Sequence, residues 1–419
     1  MTVNVTESEA SLCTSSLPAV DADLSWGVCD RFDRLPFGRE EWDSGTAKLG
    51  GSVYMTWDWL HTWWQFYGDG CQLRLFWFRK DGALTGLLPF YVRQLGFGPF
   101  RLTVARLVGA NIPPKVFDPP LHPDCLESCL TVAMASLLEE GCDVVSLGPV
   151  SQAHPTWGKV ARESNGPLCQ PRHYRQTAGV HTIFQLASSY EEYLKRLGKN
   201  EQKNRRKYEL RLLGKEFAVR LQVLRDPGSQ WTESFERFAQ LHTQQWKAEG
   251  LLGHFGAWPR GLEYNRALVR TLAAHGRVRI MELWAGDQHV AGQYAFAFAD
   301  RWYWELPARI VGPQWERFSL GPTALMLLLV EAMREGCSRV EGGLGHYEYK
   351  LRLGGREHPV WNLRFLAPGG RSALRRLSAG WMQNMLRLGY YKVWYRRVQP
   401  HLPESWKRPL WGLWLRHDY

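Results

Sequence analysis
Apolar and polar positions change their period several times along the chain, and the most informative succession runs from Met281 to Gly355. The run MELWAGDQHVAGQYAFAFADRWYWEL reads as two or three strands rich in aromatic and β-branched residues, with hairpin turns at Gly286-Asp287 and Asp300-Arg301. ERFSLGPTALMLLLVEAMREGC then becomes helical, with Pro322 suited to the first turn and Gly336 to the end. SRVEGGLGHYEYKLRLGG returns to a short strand that breaks into glycines and closes on Tyr349-Lys350. A strand feeding a helix through a glycine turn, and that helix feeding a neighbouring strand, leaves the helix N-terminus open at the sheet edge, where it can hold a phosphate.

The first half shows a similar alternation. MTWDWLHTWWQFYGDG places Trp57, Leu60, Trp63 or Trp64 and Tyr67 on one helical stripe that Gly68 closes, and QLRLFWFRKDGALTGLLPFYVRQ reads as a strand pair turning at Lys80-Asp81-Gly82. A helix over about 126–140 and a buried strand, Val144 to Gly148, follow. Two accounts fit this β, α, β order: a degenerate copy of the second half, or an unrelated α/β domain packed on it. Further helices are expected over Phe235–Gly250 and Gly261–His275, and last strands over Val360–Ala367.

Composition and charge add bounds. At 419 residues, with 45% hydrophobic and 13% aromatic content, the chain can build two or three cored domains, and its 21 tryptophans suggest aromatic surfaces as well as packing. Its eight cysteines form no Cys-x-x-Cys pair and no zinc-ligand spacing, so we read them as reduced thiols and expect no metal. The first thirty residues hold five acids and no Lys or Arg, unlike a secretory leader, and residues 1–24 read as a disordered tail. No apolar run reaches the roughly 18 residues of a membrane span, so a cytoplasmic protein with surface contact to membrane at most is expected.

Two segments are strongly basic. Lys195 to Arg225 holds eleven Lys or Arg against three Glu and predicts a helix whose basic face either is solvated or meets an anionic partner. From Gly369 to Tyr419 there are ten Lys or Arg against Glu404 and Asp418, interleaved with Trp and Tyr. That tail predicts a helix that either packs on the domain or lies on an anionic membrane surface, peripheral to its inner face.

The order around the Ser319 helix resembles the core of the GNAT acyltransferase superfamily, where a βαβ unit holds the pyrophosphate of an acyl-CoA. Of the superfamily pattern Gln/Arg-x-x-Gly-x-Gly/Ala, the stretch Arg317-Phe318-Ser319-Leu320-Gly321-Pro322-Thr323-Ala324 keeps one glycine. The chain is more similar to the CelD/BcsL branch (cellulose-biosynthesis acetyltransferase-like proteins), whose pattern is Ser-Pro-Gly, helix, Ala-x-x-x-Gly, strand, Asp-Phe-x-x-Gly-x-x-x-Tyr-Lys. Its counterparts here are Ser319-Leu320-Gly321, Ala332 to Gly336, Glu341-Gly342-Gly343-Leu344-Gly345 and Tyr349-Lys350, with Glu341 in place of Asp and Gly342 in place of Phe. Arg205-Arg206 and the His242-x-x-x-Trp246 helix also match the branch.

The resemblance covers roughly residues 50–367 and implies a mixed α/β protein with two tandem GNAT-like domains, 25–183 and 184–368, each a mixed central sheet flanked by helices. It implies acyl transfer from an acyl-CoA co-substrate to an amine or hydroxyl of a small molecule, sugar, polysaccharide or cell-envelope precursor. Distantly similar Fem-type proteins offer an alternative, transfer from aminoacyl-tRNA; no RNA-binding signature accompanies the basic segment, which makes nucleic acid a partner only in that reading. A third reading is a catalytically inactive accessory protein of polysaccharide secretion.

A thioester is already activated, so the chemistry needs juxtaposition, a proton acceptor and oxyanion donors, and no covalent nucleophile. Glu341, beside the glycines on an open strand edge, suits a general base or, equally, a cap of Gly342–Gly345 or a partner of Lys350. His346, Tyr349 and His242 are the other proton-handling residues, and His242 also fits a purely structural place. Arg317, Ser319, Gly321 and Thr323 are candidates for the CoA phosphates, and Lys350, Arg205, Arg206 and Trp246 for the substrate.

Overall fold
Asp81-Gly82 illustrates how local residues set the frame: both adopt positive φ, 51° and 76°, the conformation a two-residue hairpin turn demands and which Asp-Gly supplies. The computed structural model describes residues 23–403 and 406, apart from 97, 99–100, 111–112, 114, 163–172, 209–210 and 226–229. The expected tail up to residue 22, and residues 407–419, lie outside them.

The chain opens with β1 (Leu24–Cys29), α1 (Arg39–Lys48) and α2 (Trp57–Tyr67), then β2 (Gln72–Lys80), β3 (Ala83–Leu95) and β4 (Leu102–Leu107). Next come α3 (Leu126–Glu139), β5 (Val144–Ser151), α4 (Pro155–Arg162) and β6 (His173–Gln185). Three short helices link the halves: α5 (Tyr190–Lys195), α6 (Lys199–Tyr208) and α7 (Arg211–Gly214). The second half has β7 (Val219–Leu224), α8 (Trp231–Ala248), α9 (Gly253–Ala257), α10 (Gly261–Ala273), β8 (Val278–Ala285), β9 (Gln288–Phe298) and β10 (Arg301–Arg309). It continues with α11 (Pro313–Glu316), α12 (Leu320–Arg334), β11 (Arg339–Leu344), α13 (Glu348–Arg352) and β12 (Gly355–Leu366), and the chain ends in α14 (Gly370–Leu388), prolonged by wider turns to Val398.

All twelve strands join one sheet in the order β1-β2-β3-β4-β5-β12-β6-β11-β10-β9-β8-β7. The mixed α/β class is therefore as expected, and the order exposes an internal repeat. Each half lays down five strands in sequence, with its fourth and fifth parallel: Val104–Arg106 against Val144–Ser146, and Arg301–Tyr303 against Arg339–Glu341. Each half then sends its sixth strand across to the other, so that β6 pairs with β11 and β12 with β5. The two exchanged strands pair with each other, antiparallel, from Gly355↔Phe184 to Phe365↔His173. The expected domain boundary at 183/184 falls within β6.

Packing explains the elements and corrects several expectations. On α2 the fully buried residues are Trp59, Leu60 and Trp63, while Trp57 and Trp64 are only partly covered. Trp42, Trp59, Trp63, Trp157 and Trp302 are all at 1% exposure or less, so much of the tryptophan content is core. The single basic helix expected over Lys195–Arg225 is three short helices and an edge strand. Gly198 and Gly214 interrupt it, and from Val219 the residues alternate Val, Arg, Leu, Gln, Val to pair with β8. The second hairpin turns at Ala299-Asp300, and Arg301 lies inside β10, buried and bonded to Asp118 at 3.1 Å. Pro322 and Gly336 sit where expected, in the first turn of α12 and just past its end, with Gly336 at φ 74°.

Candidate functional site
The parallel ladder between β10 and β11 lasts only three residue pairs, ending at Tyr303↔Glu341. Beyond it the two strands part. On β11 the register with β6 breaks between Glu341 and Leu344, where Gly343 takes φ 75°. On β10 the register with β9 breaks between Trp304 and Leu306, so Glu305 is an extra residue with no register partner on either neighbouring strand. The result is a wedge through the sheet, bounded by β10 and the glycines of β11.

One side of the wedge is aromatic with a single buried cation. The Lys350 ammonium donates to Gly342 O at 2.7 Å and lies 5.3 Å from the Trp304 ring and 4.6 Å from that of Tyr347. Desolvation lowers its pKa to about 8. Tyr349 stands edge-on to Trp304 at 6.4 Å, and burial raises its hydroxyl to about 12, so it remains a donor at neutral pH. Trp304 is fixed in turn by its Nε1–H donating to Gln293 Oε1 at 2.7 Å.

The other side is a buried polar chamber. Tyr54 donates to Glu305 Oε1 at 2.7 Å, and the Lys115 ammonium pairs with Glu305 Oε2. The Glu305 side chain is only 5% exposed, although the residue as a whole is partly exposed, so its accessible portion is backbone at the bulge. Near this carboxylate stand Tyr264 and Tyr294, while the Tyr303 hydroxyl lies toward Arg301 and Glu341; all three buried hydroxyls, like the buried Trp59 Nε1–H, have no hydrogen-bond partner. Tyr54 touches both Trp59 and Tyr303, at 5.4 Å between ring centroids in each case. Burial raises the pKa of all four tyrosines, Glu305 adding to it for Tyr54, Tyr264 and Tyr294, so each keeps its proton. Unmet buried donors are costly, and a ligand bearing oxygen acceptors would satisfy them. At the rim, exposed His254 places its Nδ1 3.2 Å from His242 Nε2.

The expected site residues distribute unevenly around this wedge. His242 is buried on α8, donates from Nδ1 to Pro307 O at 2.8 Å, and is driven down to about 4 by desolvation, so it is a neutral prop of β10. Trp246, partly buried, stacks edge-on with His254 at 5.4 Å. Glu341 is not on an open edge: β6, lent by the first half, covers it at Ile183, and the carboxylate is 5% exposed. It pairs with Arg339 at 2.7 Å and with Arg301 at 3.8 Å, lies 3.3 Å from His181, whose pKa burial lowers, and makes no pair with Lys350. The glycine loop is capped by Lys350 instead. His346 is 58% exposed and bound to Glu357 and Glu348, which raise its pKa, outside the wedge.

At the mouth of α12, Ser319 takes the left-handed conformation, φ 48°, and its side chain makes no cap bond, leaving the first-turn N–H groups of Leu320 and Gly321 without a side-chain acceptor. Thr323 is buried and its N–H returns to Ser319 O at 3.1 Å. Arg317 turns away, paired with Glu216 and lying over Phe318 at 4.8 Å. The cation at the mouth is Arg309: a Cβ added at Gly321 would lie 3.6 Å from Arg309 Cδ. Arg205 and Arg206 lie on α6, and their side chains are outside the described residues. Among the described residues no group of three or more His, Cys, Asp or Glu gathers as a metal site.

Residues 200–351, from α6 to α13, match the model of a family described as an acetyltransferase (GNAT) domain. No curated protein sequence matches the chain. Among solved structures, that of FemX is similar with TM-score 0.57 at 10% identity, covering 82% of this chain and 98% of that one. L-PGS from Bacillus licheniformis gives 0.46 at 11% identity, over 86% and 97% of the two chains. A tandem GNAT protein from the clavulanic acid biosynthesis pathway gives 0.41 at 12%, over 83% and 99%. The strands that part at the wedge and the open end of α12 both lie in the stretch that matches the acetyltransferase (GNAT) domain model, within a fold shared with FemX.

Proposed function
We propose that the protein transfers an acyl group from acyl-CoA to an amine or hydroxyl of a hydroxyl-rich acceptor such as a sugar or cell-envelope precursor. The observation that carries this reading is Glu305, a buried carboxylate on the bulged residue where β10 and β11 part, close to two unmatched tyrosine hydroxyls, those of Tyr264 and Tyr294. The first-turn N–H groups of α12 and the Arg309 guanidinium would hold the diphosphate, and the aromatic side of the wedge the pantetheine arm. The donor supplies a thioester carbonyl.

The chamber would orient the acceptor, its hydroxyl oxygens accepting from Tyr264 and Tyr294. As the nucleophilic nitrogen or oxygen attacks the carbonyl carbon, its proton passes to the Glu305 carboxylate, which Tyr54 and Lys115 hold in place. Negative charge on the carbonyl oxygen meets the backbone N–H groups freed at the bulge. When the tetrahedral intermediate collapses, the C–S bond breaks and the thiolate meets the Tyr349 hydroxyl, which burial keeps protonated.

Glu305→Gln tests the assignment. The amide keeps the shape and the bond from Tyr54, so acetyl-CoA affinity by calorimetry should stay as in the wild type, while the loss of the Lys115 ion pair should lower the melting temperature. Thiol release in the presence of an acceptor should fall by about 10² or more. Full turnover in this variant would remove Glu305 from the chemistry.

A further inference from the structure
Helix α14 packs on the first half through a narrow inner face. Ala379 sits among Leu95, Leu102, Val104 and Val144, and Arg376 donates to Ala367 O at 3.0 Å. Its outer face is apolar. Leu374, Leu377, Trp381, Met385 and Leu388 recur every three or four residues and are between 45% and 73% exposed. Seven of the ten exposed large hydrophobic side chains in the described structure lie in this C-terminal region, the other two being Val393 and Trp406. Singly exposed apolar residues are ordinary, but a continuous stripe along four turns of helix is not, and its position opposite the packed face leaves it open to a partner.

Charge identifies what that is. Between residues 370 and 403 stand six Arg and one Lys and no Asp or Glu. Arg371, Lys392, Arg396 and Arg397 are exposed. Arg375 meets Asp143, just before β5, at 3.6 Å, and an apolar stripe flanked by further cations, with no acid on its own segment, is the arrangement that lies in the interface of an anionic bilayer, with apolar side chains among the acyl chains and cations at the headgroups. Interfacial aromatics, Trp381 and Trp406, complete it.

We propose that α14 and the turns that prolong it dock the protein, lying flat, on a membrane surface rich in anionic lipid. The proposal does not depend on the acyl-transfer reading, because no residue of α14 lines the wedge.

The test uses the full chain and two kinds of vesicle, phosphatidylcholine alone and an equimolar mixture with phosphatidylglycerol. The wild type should co-sediment with the mixed vesicles at low salt and be released as salt rises. Leu377→Glu with Trp381→Glu should lower binding to the mixed vesicles by about tenfold or more. Lys392→Gln with Arg396→Gln should lower it to a similar degree, about tenfold, and leave the weak binding to neutral vesicles unchanged. All these side chains are exposed, so the melting temperature should not move; Leu374→Gln with Met385→Gln provides a second stripe variant with the same expectation. Equal binding of wild type and both stripe variants would overturn the proposal, as would equal binding to the two vesicle types. A wild-type dimer by light scattering that the stripe variants convert to monomer would overturn it too, by assigning the face to a second copy of the chain.

Discussion
With its ammonium held between Gly342 O and the rings of Trp304 and Tyr347, Lys350 ionises at about 8 and not at 10.5. Between these values the unfolded chain binds a proton that the folded chain does not, so unfolding takes up a proton and stability rises with pH across this window. Below pH 8 both states are protonated and the slope vanishes. The full difference amounts to about 3 kcal/mol. Lys350→Met should therefore lose this part of the pH dependence. In urea titrations the wild type should gain on the variant steadily from pH 8 to 10.5. A constant gap would show that the Lys350 ammonium is hydrated in the folded state. The buried acid at the same glycines behaves differently. Glu341, enclosed by Arg339, Arg301 and His181, neutralises cations at the junction of the two halves, while Glu305 has one ion pair, to Lys115, beside the unmatched hydroxyls of Tyr264 and Tyr294.

At the scale of the element, the entry of α12 is the most exacting piece of backbone. Gly321 has an ordinary helical conformation, and a methyl there would make only van der Waals contact with Arg309, so Gly321→Ala should leave acetyl-CoA affinity unchanged. Gly321→Asp would put a carboxylate among the same N–H groups and against the same guanidinium, and should weaken acetyl-CoA binding by about tenfold or more in calorimetry. Equal affinity of both variants would move the diphosphate elsewhere. This helix was legible in the sequence because Pro322, Gly336 and the apolar run between them act over a few residues, and the same is true of the Asp81-Gly82 hairpin and of α14. Glu305 was not legible. Nothing in Trp302-Tyr303-Trp304-Glu305-Leu306 marks the bulge, which comes from the parting of two strands that are about thirty residues apart in sequence. Arg317 has its place in the motif, but the residue that reaches the helix mouth, Arg309, precedes it on the strand. Glu341 looked exposed because the strand expected to end at the glycines has a neighbour, β6, drawn from the other half of the chain.

For the whole molecule, the exchange of β6 and β12 ties the halves into one folding unit. Each exchanged strand completes the sheet of the other half, and their mutual pairing extends over eleven residues of β12 from Gly355 to Phe365. Urea unfolding followed by tryptophan fluorescence and by far-ultraviolet circular dichroism should give coincident single transitions. Two separated transitions would show that each half folds without the other's strand. The repeat also sets up a comparison inside one chain. In the first half β4 and β5 separate after three pairs, as β10 and β11 do, but there the segment leading to α3 runs alongside the departing strand, with Phe117 bridged to Val150. That filler is also the arm that presents Lys115 to Glu305 and Asp118 to Arg301. The half that fills its own opening thereby supplies a wall to the opening of the other half, so the repeat leaves one open wedge among the described residues in place of two. Substitutions between Lys115 and Asp118 would accordingly disturb Glu305 and Arg301 on β10, although those residues belong to the first half of the chain.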